Sequence, residues 1–273
     1  RNGMKTILIT GSTDGIGRQT ALELAKRGYR VLVHGRNSER GRDAVAYIKK
    51  ESANDHVVYL NADLTEFSEV QKLADEVKEI APVLDVLINN AGVFETEKII
   101  LPNGFEKTFM VNYLAHFALT LQLLDLLKTA DEGRIVHVSS MAQAGTIDFD
   151  NLNGEKHYDG YNAYAVSKLE NVLFAYKLAR MLKDTGLTSN CLHPGVISTK
   201  LLHAGWGMGG ASTEEGAQTS VFVADATKVK GVSGMYFVHA KESRSSALSY
   251  DKKVQDRLWE ISLKLTGLED PFL

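Results

Sequence analysis

A tyrosine and a lysine four positions apart, Tyr164 and Lys168, offer the most informative chemistry in this sequence. If the segment is helical, residues i and i+4 lie on one face, so the phenol stands beside the ammonium group. The positive charge favours the ionised phenol, which predicts that the pKa of Tyr164 is lowered from about 10 toward neutrality. A tyrosine with such a pKa is a candidate general acid or base at physiological pH. An exposed tyrosine beside a solvated lysine is the alternative interpretation.

A glycine-rich segment near the N-terminus has the spacing of a phosphate-binding loop. Gly11, Gly15 and Gly17 follow a short β-branched run and precede a segment with helical periodicity. Gly11 would permit a tight turn, and the other two would let the backbone approach a ligand. The start of the helix then offers free N–H groups and positive dipole charge to a pyrophosphate. The predicted contacts of this loop are Gly11, Ser12, Thr13, Asp14, Gly15, Ile16 and Gly17.

The end of the second predicted strand distinguishes between two forms of a dinucleotide. NAD-binding proteins usually carry Asp or Glu near this point, whereas this chain has Arg36 followed by Asn37. A guanidinium group suits the 2′-phosphate of NADP, so NADP(H) is favoured over NAD(H). A solvent-exposed loop arginine is the alternative. Asp63 and its neighbour Leu64, after the third predicted strand, are candidates for the adenine end, although Asp63 could instead cap a helix.

Other small or polar residues fall where strands are predicted to end, at the edge of the sheet that binds ligands in such folds. Asn90, Ala91 and Gly92 follow the fourth strand, and a serine pair ending in Ser140 closes the fifth. Asn112 lies inside a predicted helix, where asparagine is unfavourable. Either a role in the site or an ordinary helix–sheet hydrogen bond would explain it.

The elements that must position these residues alternate between strand and helix. The predicted strands are 5–10, 30–34, 57–61, 83–88, 134–139, 187–192 and 234–238, and the predicted helices are 16–27, 38–50, 66–80, 105–128 and 161–183. Near-continuous apolar strands separated by helices predict a parallel sheet covered on both faces. We therefore predict an α/β fold, a single domain over residues 1–273 with a doubly wound, Rossmann-type sheet.

Two loops interrupt this alternation. The segment 141–160 is rich in Asp, Asn and Gly, and the segment 199–212 carries four glycines around two large apolar side chains. We interpret the second as a substrate lid, with a disordered tip as the alternative.

The composition excludes several classes of protein. The net charge of −3 gives no reason to expect a nucleic-acid partner. The single cysteine, Cys191, cannot form an internal disulfide and is expected to be a small buried hydrophobe in a reducing compartment. The apolar stretch around 119–127 is short and interrupted by polar residues, so no membrane span is expected. We expect a cytoplasmic protein that acts on a small molecule, holds no metal and binds no membrane.

Taken in order, these motifs resemble those of the short-chain dehydrogenase/reductase family from about residue 5 to residue 238. The resemblance implies an NADP(H)-dependent hydride transfer at a carbonyl or alcohol carbon. The catalytic set that it implies is Asn112, Ser140, Tyr164 and Lys168. It extends the cofactor site to Pro194, Gly195, Val196 and Thr199. The long separation between Ser140 and Tyr164, and the histidine before Pro194, are similar to the retinol dehydrogenase and protochlorophyllide reductase branch.

In the implied reaction, Tyr164 donates the proton, Ser140 stabilises charge on the substrate oxygen, and Lys168 holds the nicotinamide ribose and lowers the tyrosine pKa. Asn112 would support a chain of waters that resupplies the proton. The predicted substrate pocket is largely apolar and consists of Phe94, Met141, His157, Trp206 and Met208, each of which could instead be ordinary core.

Two other functions remain open, namely reduction of a C=C bond by the same residues and NADP(H) sensing without turnover. Retention of both the tyrosine and the lysine argues against the sensor. A homodimer paired through the Asn112 and Tyr164 helices is one possibility.

Overall fold

The computed structural model describes residues 3–195 and 212–273. Its strands are β1 Thr6–Ile9, β2 Arg30–Gly35, β3 Val57–Asn61, β4 Val86–Asn89, β5 Arg134–Val138, β6 Thr188–His193, β7 Tyr236–Val238 and β8 Lys241–Ser243. Its main helices are α1 Gly15–Lys26, α2 Ser38–Ser52, α3 Phe67–Ile80, α4 Lys107–Lys128, α5 Gly160–Met181, α6 Thr213–Asp225 and α7 Lys252–Thr266. Every strand and helix predicted from the sequence is present within three residues of its predicted ends.

The eight strands form one sheet in the order β3-β2-β1-β4-β5-β6-β7-β8. All neighbouring pairs are parallel except β7 and β8 at one edge. The chain moves outward from β1 to β3 and then returns to β4 on the other side of β1. This reversal opens a crevice at the carboxyl ends of β1 and β4, where doubly wound folds bind their ligands. The predicted α/β, Rossmann-type fold is confirmed.

Strands β1, β2, β4 and β5 are largely apolar because helices cover the sheet on both sides, whereas β6, which is also buried, carries several polar residues. Within β1, Ile7 and Ile9 pack on the face that carries α1, α2 and α6, whereas Leu8 packs on the face that carries α3, α4, α5 and α7. Alternate side chains of a strand point to opposite faces, so both faces require apolar residues. This double burial holds the carboxyl ends of the strands in fixed positions.

The elements after residue 238, and helix α6 before it, were not predicted from the sequence. Helix α7 packs on α4 and α5, where Trp259 contacts the rings of Phe117 and Phe174. The Tyr113 hydroxyl lies 2.6 Å from the Ser262 hydroxyl. These contacts cover part of the two helices through which the resemblance implies pairing. A homodimer stays a prediction.

By length and composition, helix α4 could cross a membrane. In its most apolar stretch of 18 residues, however, 78% is buried inside the fold. It is a core helix of this fold. Residues Met110–Leu114 form a π-helical turn within it. Such turns often mark functional sites, and this one carries Asn112.

Candidate active site

The glycine loop between β1 and α1 has the backbone that a phosphate site needs. Gly11 and Gly15 have φ angles of +61° and +57°, in the left-handed region that favours glycine. A Cβ at Gly15 would meet no atom within 4 Å, so this part of the loop borders open space. Helix α1 begins at Gly15, with no acidic residue and no side-chain cap in its first turn. Its N–H groups therefore suit an anion, and the loop fits the pyrophosphate of a dinucleotide.

Gly17 is required because the loop packs tightly there. A Cβ at this position would lie 2.1 Å from the carbonyl oxygen of Gly11 and 2.7 Å from Nδ2 of Asn90. We expect Gly17→Ala to displace the loop, because the added methyl group has no room. NADPH binding should weaken on the order of 100-fold or more, which corresponds to a loss of about 2.7 kcal/mol. A fluorescence titration with NADPH measures this loss.

The matched control is Gly145→Ala, because a Cβ at Gly145 meets nothing within 4 Å. This variant should bind NADPH like the unmodified protein. Equal affinity in both alanine variants would show that the close contact at Gly17 has no role in the binding site.

Two residues outside the predicted cofactor contacts, His34 and Thr10, hold the loop on its protein-facing side. Nδ1 of His34 accepts a hydrogen bond from the Gly11 N–H at 3.0 Å, and its Nε2 lies 2.9 Å from the Ala62 carbonyl oxygen. Burial lowers the pKa of His34 to about 4, so the ring is neutral and can accept at Nδ1. The Thr10 hydroxyl accepts from the N–H groups of Asn90 and Ala91 at 2.9 and 3.0 Å.

Ser12 also shapes the loop, although it was predicted as a cofactor contact. Its hydroxyl donates to the Ile9 carbonyl oxygen at 2.7 Å and accepts from the His34 N–H at 2.9 Å. Its own N–H donates to the His34 carbonyl oxygen. Both polar groups of Ser12 thus face the protein. The residues of this loop that are at least partly accessible are Gly11, Thr13, Asp14, Gly15 and Ile16.

The predicted adenine end of the site follows β2 and β3. Arg36 and Asn37 are exposed at the end of β2, and Asn37 caps α2 by accepting from the Arg40 N–H. Asp63 accepts from the N–H and the hydroxyl of Thr65 at 2.9 and 2.7 Å. It therefore fixes a local turn and is not the cap of α3, which is Glu66.

The side chain of Asn112 makes two hydrogen bonds to the segment after β4. Its Oδ1 accepts from the Val93 N–H at 2.7 Å, and its Nδ2 donates to the Val93 carbonyl oxygen at 3.0 Å. A Cβ at Gly92 would lie 3.5 Å from both Asn112 Oδ1 and Lys168 Nζ, which places this glycine beside the catalytic groups. The side chain of Asn112 thus bonds its helix to the loop after β4, close to the helix–sheet hydrogen bond that the sequence left open.

The backbone carbonyl of Asn112 is also occupied. It accepts from Nδ2 of Asn171 at 2.9 Å and lies 3.3 Å from Nδ1 of His116. Both acceptor positions of this oxygen therefore have protein partners. The implied role of Asn112 in a water chain stays a prediction that these contacts do not favour.

Ser140, Tyr164 and Lys168 come together where β5 meets α5. The side chains of Tyr164 and Ser140 are hydrogen-bonded to each other. Lys168 Nζ lies 5.5 Å from the centre of the Tyr164 ring and donates to the Val138 carbonyl oxygen at 3.2 Å. The hydroxyl of Ser139 instead donates to the Lys168 carbonyl oxygen at 2.7 Å. Ser140 is therefore the serine of the pair that faces the tyrosine.

The predicted direction of the Tyr164 pKa shift is wrong for this structure. Burial raises the pKa of Tyr164 to about 12, and the hydrogen bond from Ser140 offsets this only in part. Burial also lowers the pKa of Lys168 to about 8. Both side chains are almost completely enclosed, and removal from water disfavours the charged form of each. The spacing of the two residues could not reveal this burial.

The predicted substrate residues are only partly brought together. The rings of Phe94 and Tyr164 lie 5.5 Å apart, and Met141, next to Ser140, is 58% exposed. The prediction for His157 requires correction, because it lines a cavity of about 190 Å³ that none of the three catalytic side chains borders. Asn151 accepts from the His157 N–H and donates to its carbonyl oxygen, which folds the loop back on itself.

Pro194 and Gly195 follow β6 at the same edge of the sheet, and Gly195 has a φ of +99°. The remaining predicted contacts lie outside the described residues: Val196, Thr199, Trp206 and Met208.

A doubly wound sheet with a phosphate loop beside a Ser–Tyr–Lys cluster defines a class of nicotinamide-dependent oxidoreductases. Residues 5–206 match the family described as short chain dehydrogenase. The chain is 40% identical to human "Retinol dehydrogenase 13" over 98% of this chain and 86% of that protein. It is 37% identical to human "Polyprenol dehydrogenase" over 97% of this chain and 86% of that protein. This chain belongs to the short-chain dehydrogenase/reductase family and is an enzyme of that kind.

A solved structure adds to this comparison. The chain is similar to a short chain dehydrogenase from Escherichia coli CFT073 complexed with NADPH, with a TM-score of 0.71 and 26% identity over 86% of this chain and 96% of that one.

Proposed function

We propose that this protein is an NADP(H)-dependent oxidoreductase that transfers hydride between the nicotinamide and an alcohol or carbonyl carbon of a lipophilic small molecule. The observation that carries the proposal is the buried cluster of Ser140, Tyr164 and Lys168 beside the phosphate loop. Bound NADP(H) would supply or accept the hydride.

The protein's own groups supply the proton and hold the substrate oxygen. Tyr164 is protonated at neutral pH, since its pKa is about 12, and a neutral phenol is the form that donates a proton to a carbonyl oxygen. Ser140 stabilises the charge that develops on the same oxygen. Lys168, predominantly charged at pH 7 with its pKa of about 8, stabilises the phenolate that remains after proton transfer.

The preference for NADP(H) rests on Arg36. This exposed arginine directly follows β2, at the position where NAD-binding proteins carry an acid. The similar E. coli protein complexed with NADPH supports the proposal. We expect Arg36→Ala to raise the KM for NADPH by about 10–100-fold, the equivalent of losing about 1.4–2.8 kcal/mol of charge-assisted hydrogen bonding, while the KM for NADH hardly changes.

Steady-state kinetics with both cofactors measure this effect. The matched control is Lys50→Ala, which removes an exposed positive charge near the other end of α2. An equal loss for NADPH and NADH in the Arg36 variant would argue against recognition of the 2′-phosphate.

The proposed substrate class is a lipophilic alcohol or aldehyde. The two similar human proteins are named for retinol and for polyprenol, both apolar alcohols. Phe94 lies against Tyr164, so an apolar ring borders the reacting oxygen in this chain as well. An apolar wall beside a small number of polar groups is typical of a site for such ligands.

A substrate survey that follows NADPH absorbance tests the proposal. It includes retinal-like and long-chain aldehydes, aromatic ketones, enones and, as a polar control, short sugar aldehydes. Turnover of the lipophilic aldehydes at the highest kcat/KM supports the proposal. Turnover of enones alone would establish C=C reduction instead. NADPH binding without turnover of any compound would indicate a sensor.

A further inference from the structure

The segment that carries Ser140 leaves the sheet at the end of β5 and is held on both sides of the serine. Before it, the Ser139 N–H donates to the Leu192 carbonyl oxygen at 2.7 Å, which is the last bond of the β5–β6 ladder. The Ser139 hydroxyl donates to the Lys168 carbonyl oxygen of α5 at 2.7 Å. The serine is therefore tied from its N-terminal side to the helix that carries the tyrosine.

The restraint after Ser140 comes from a side chain. The Met141 N–H has left the ladder and donates to Nδ1 of His193, the last residue of β6, at 2.9 Å. His193 is only 4% exposed. Its imidazole thus takes the place of a strand carbonyl, one step beyond the end of the backbone pairing.

We infer that His193 is a positioning residue, which fixes the turn after β5 so that the Ser140 hydroxyl faces Tyr164. The inference rests on the proposed function, because it deepens the role of the same site. Without this bond, the chain after Ser140 is held by the contacts that Ser140 itself makes with Ala142 and Gln143. Further along, the Ala144 N–H donates to the Ala165 carbonyl oxygen of α5, and Oε1 of Gln143 accepts from the Ser246 N–H. None of these contacts joins the residue next to Ser140 to β6, as the bond from Met141 does.

The protonation state of the ring agrees with this role. Nδ1 can accept a hydrogen bond only when it carries no proton. Burial, and to a smaller extent His239, lowers the pKa of His193 to about 4, so the imidazole is neutral at physiological pH. The acceptor is thus present over the working range of the enzyme.

Two substitutions of nearly the same shape separate the acceptor from the volume of the ring. Asparagine places an oxygen close to the position of Nδ1, whereas leucine has the same branching and no acceptor. We expect His193→Leu to lower kcat on the order of 10–100-fold, as a small misplacement of a catalytic group does. The KM for NADPH should change less than kcat does, because the phosphate loop follows β1, and strands β4 and β5 lie between β1 and β6. His193→Asn should recover most of the lost kcat.

Amide hydrogen exchange of the 139–144 segment gives a readout that needs no substrate. Exchange should become faster in His193→Leu and stay slow in His193→Asn, with the other strands unchanged. If the leucine variant does not fold, His193→Ala replaces it in both measurements. Equal kcat and equal exchange in the acceptor and non-acceptor variants would overturn the inference.

The two readouts keep this inference separate from the proposed function. If the unmodified protein turns over no alcohol, aldehyde or enone, the proposed function fails, and hydrogen exchange still decides whether His193 holds the turn. If the protein turns over a substrate, and kcat is the same in His193→Leu and His193→Asn, the proposed function stands and the role of His193 is refuted.

Discussion

Tyr164→Phe should lower the turnover number for carbonyl reduction on the order of 10²–10⁴-fold, the contribution of one positioned acid–base group. The substitution removes only the hydroxyl that bonds to Ser140. The ring keeps its contact with Phe94, so the shape of the site is retained. The dissociation constant for NADPH should therefore change by less than about threefold, because the interaction is made chiefly in the transition state. Steady-state kinetics and a fluorescence titration measure the two quantities.

Tyr161→Phe is the matched control, since Tyr161 lies one turn earlier on the same helix and is 50% exposed. It should keep normal turnover. If Tyr164→Phe retains more than about a tenth of the activity, another group donates the proton, and the role of Tyr164 is wrong.

The order of the elements could be read from the sequence because it depends on local patterns. Most of the parallel strands are buried on both faces and appear as apolar runs. Gly11 and Gly15 reflect local backbone angles, with φ in the left-handed region. Arg36 and Ser140 were selected because the carboxyl ends of parallel strands meet at one edge.

The features that could not be predicted depend on residues far apart in the sequence. His34 is a buried partner of Gly11 and Ala62, but in the sequence it is only a polar residue in an apolar strand. The sequence marked His193 only by its place before Pro194, and nothing in it indicated the bond to Met141. The position of His157 is set by the internal bonds of its loop to Asn151, which no spacing rule describes.

Burial also explains why the predicted electrostatics of the Tyr164–Lys168 pair failed. The argument from spacing considered only the attraction between the ammonium and the phenolate. In the structure, both groups lie almost completely inside the protein. The cost of removing each charge from water then outweighs their interaction.

Replacing Lys168 by methionine should abolish activity and yet stabilise the fold. The pKa of Lys168 is about 8 in the folded protein and near the ordinary 10.5 when the chain is unfolded. Burying the ammonium therefore destabilises the native state at neutral pH. Each pKa unit corresponds to about 1.4 kcal/mol, and the lost hydrogen bond to Val138 offsets part of the gain. We expect Lys168→Met to raise the free energy of unfolding by about 1–3 kcal/mol at pH 7.

The pH dependence of this gain has a definite sign. Between pH 8 and pH 10.5 the unfolded chain binds more protons at Lys168 than the folded protein does, so its contribution to stability increases with pH. The cost is fully present below pH 8 and fades as the pH approaches 10.5. The advantage of the methionine variant should accordingly be large at pH 7 and smaller at pH 9.5 in urea denaturation. Lys183→Met, at an exposed position just beyond α5, should show neither effect. A methionine variant that is less stable than the unmodified protein at pH 7 would mean that the buried ammonium has a compensating partner. In that case Lys168 would contribute to both stability and catalysis, and the predicted conflict between the two would be wrong.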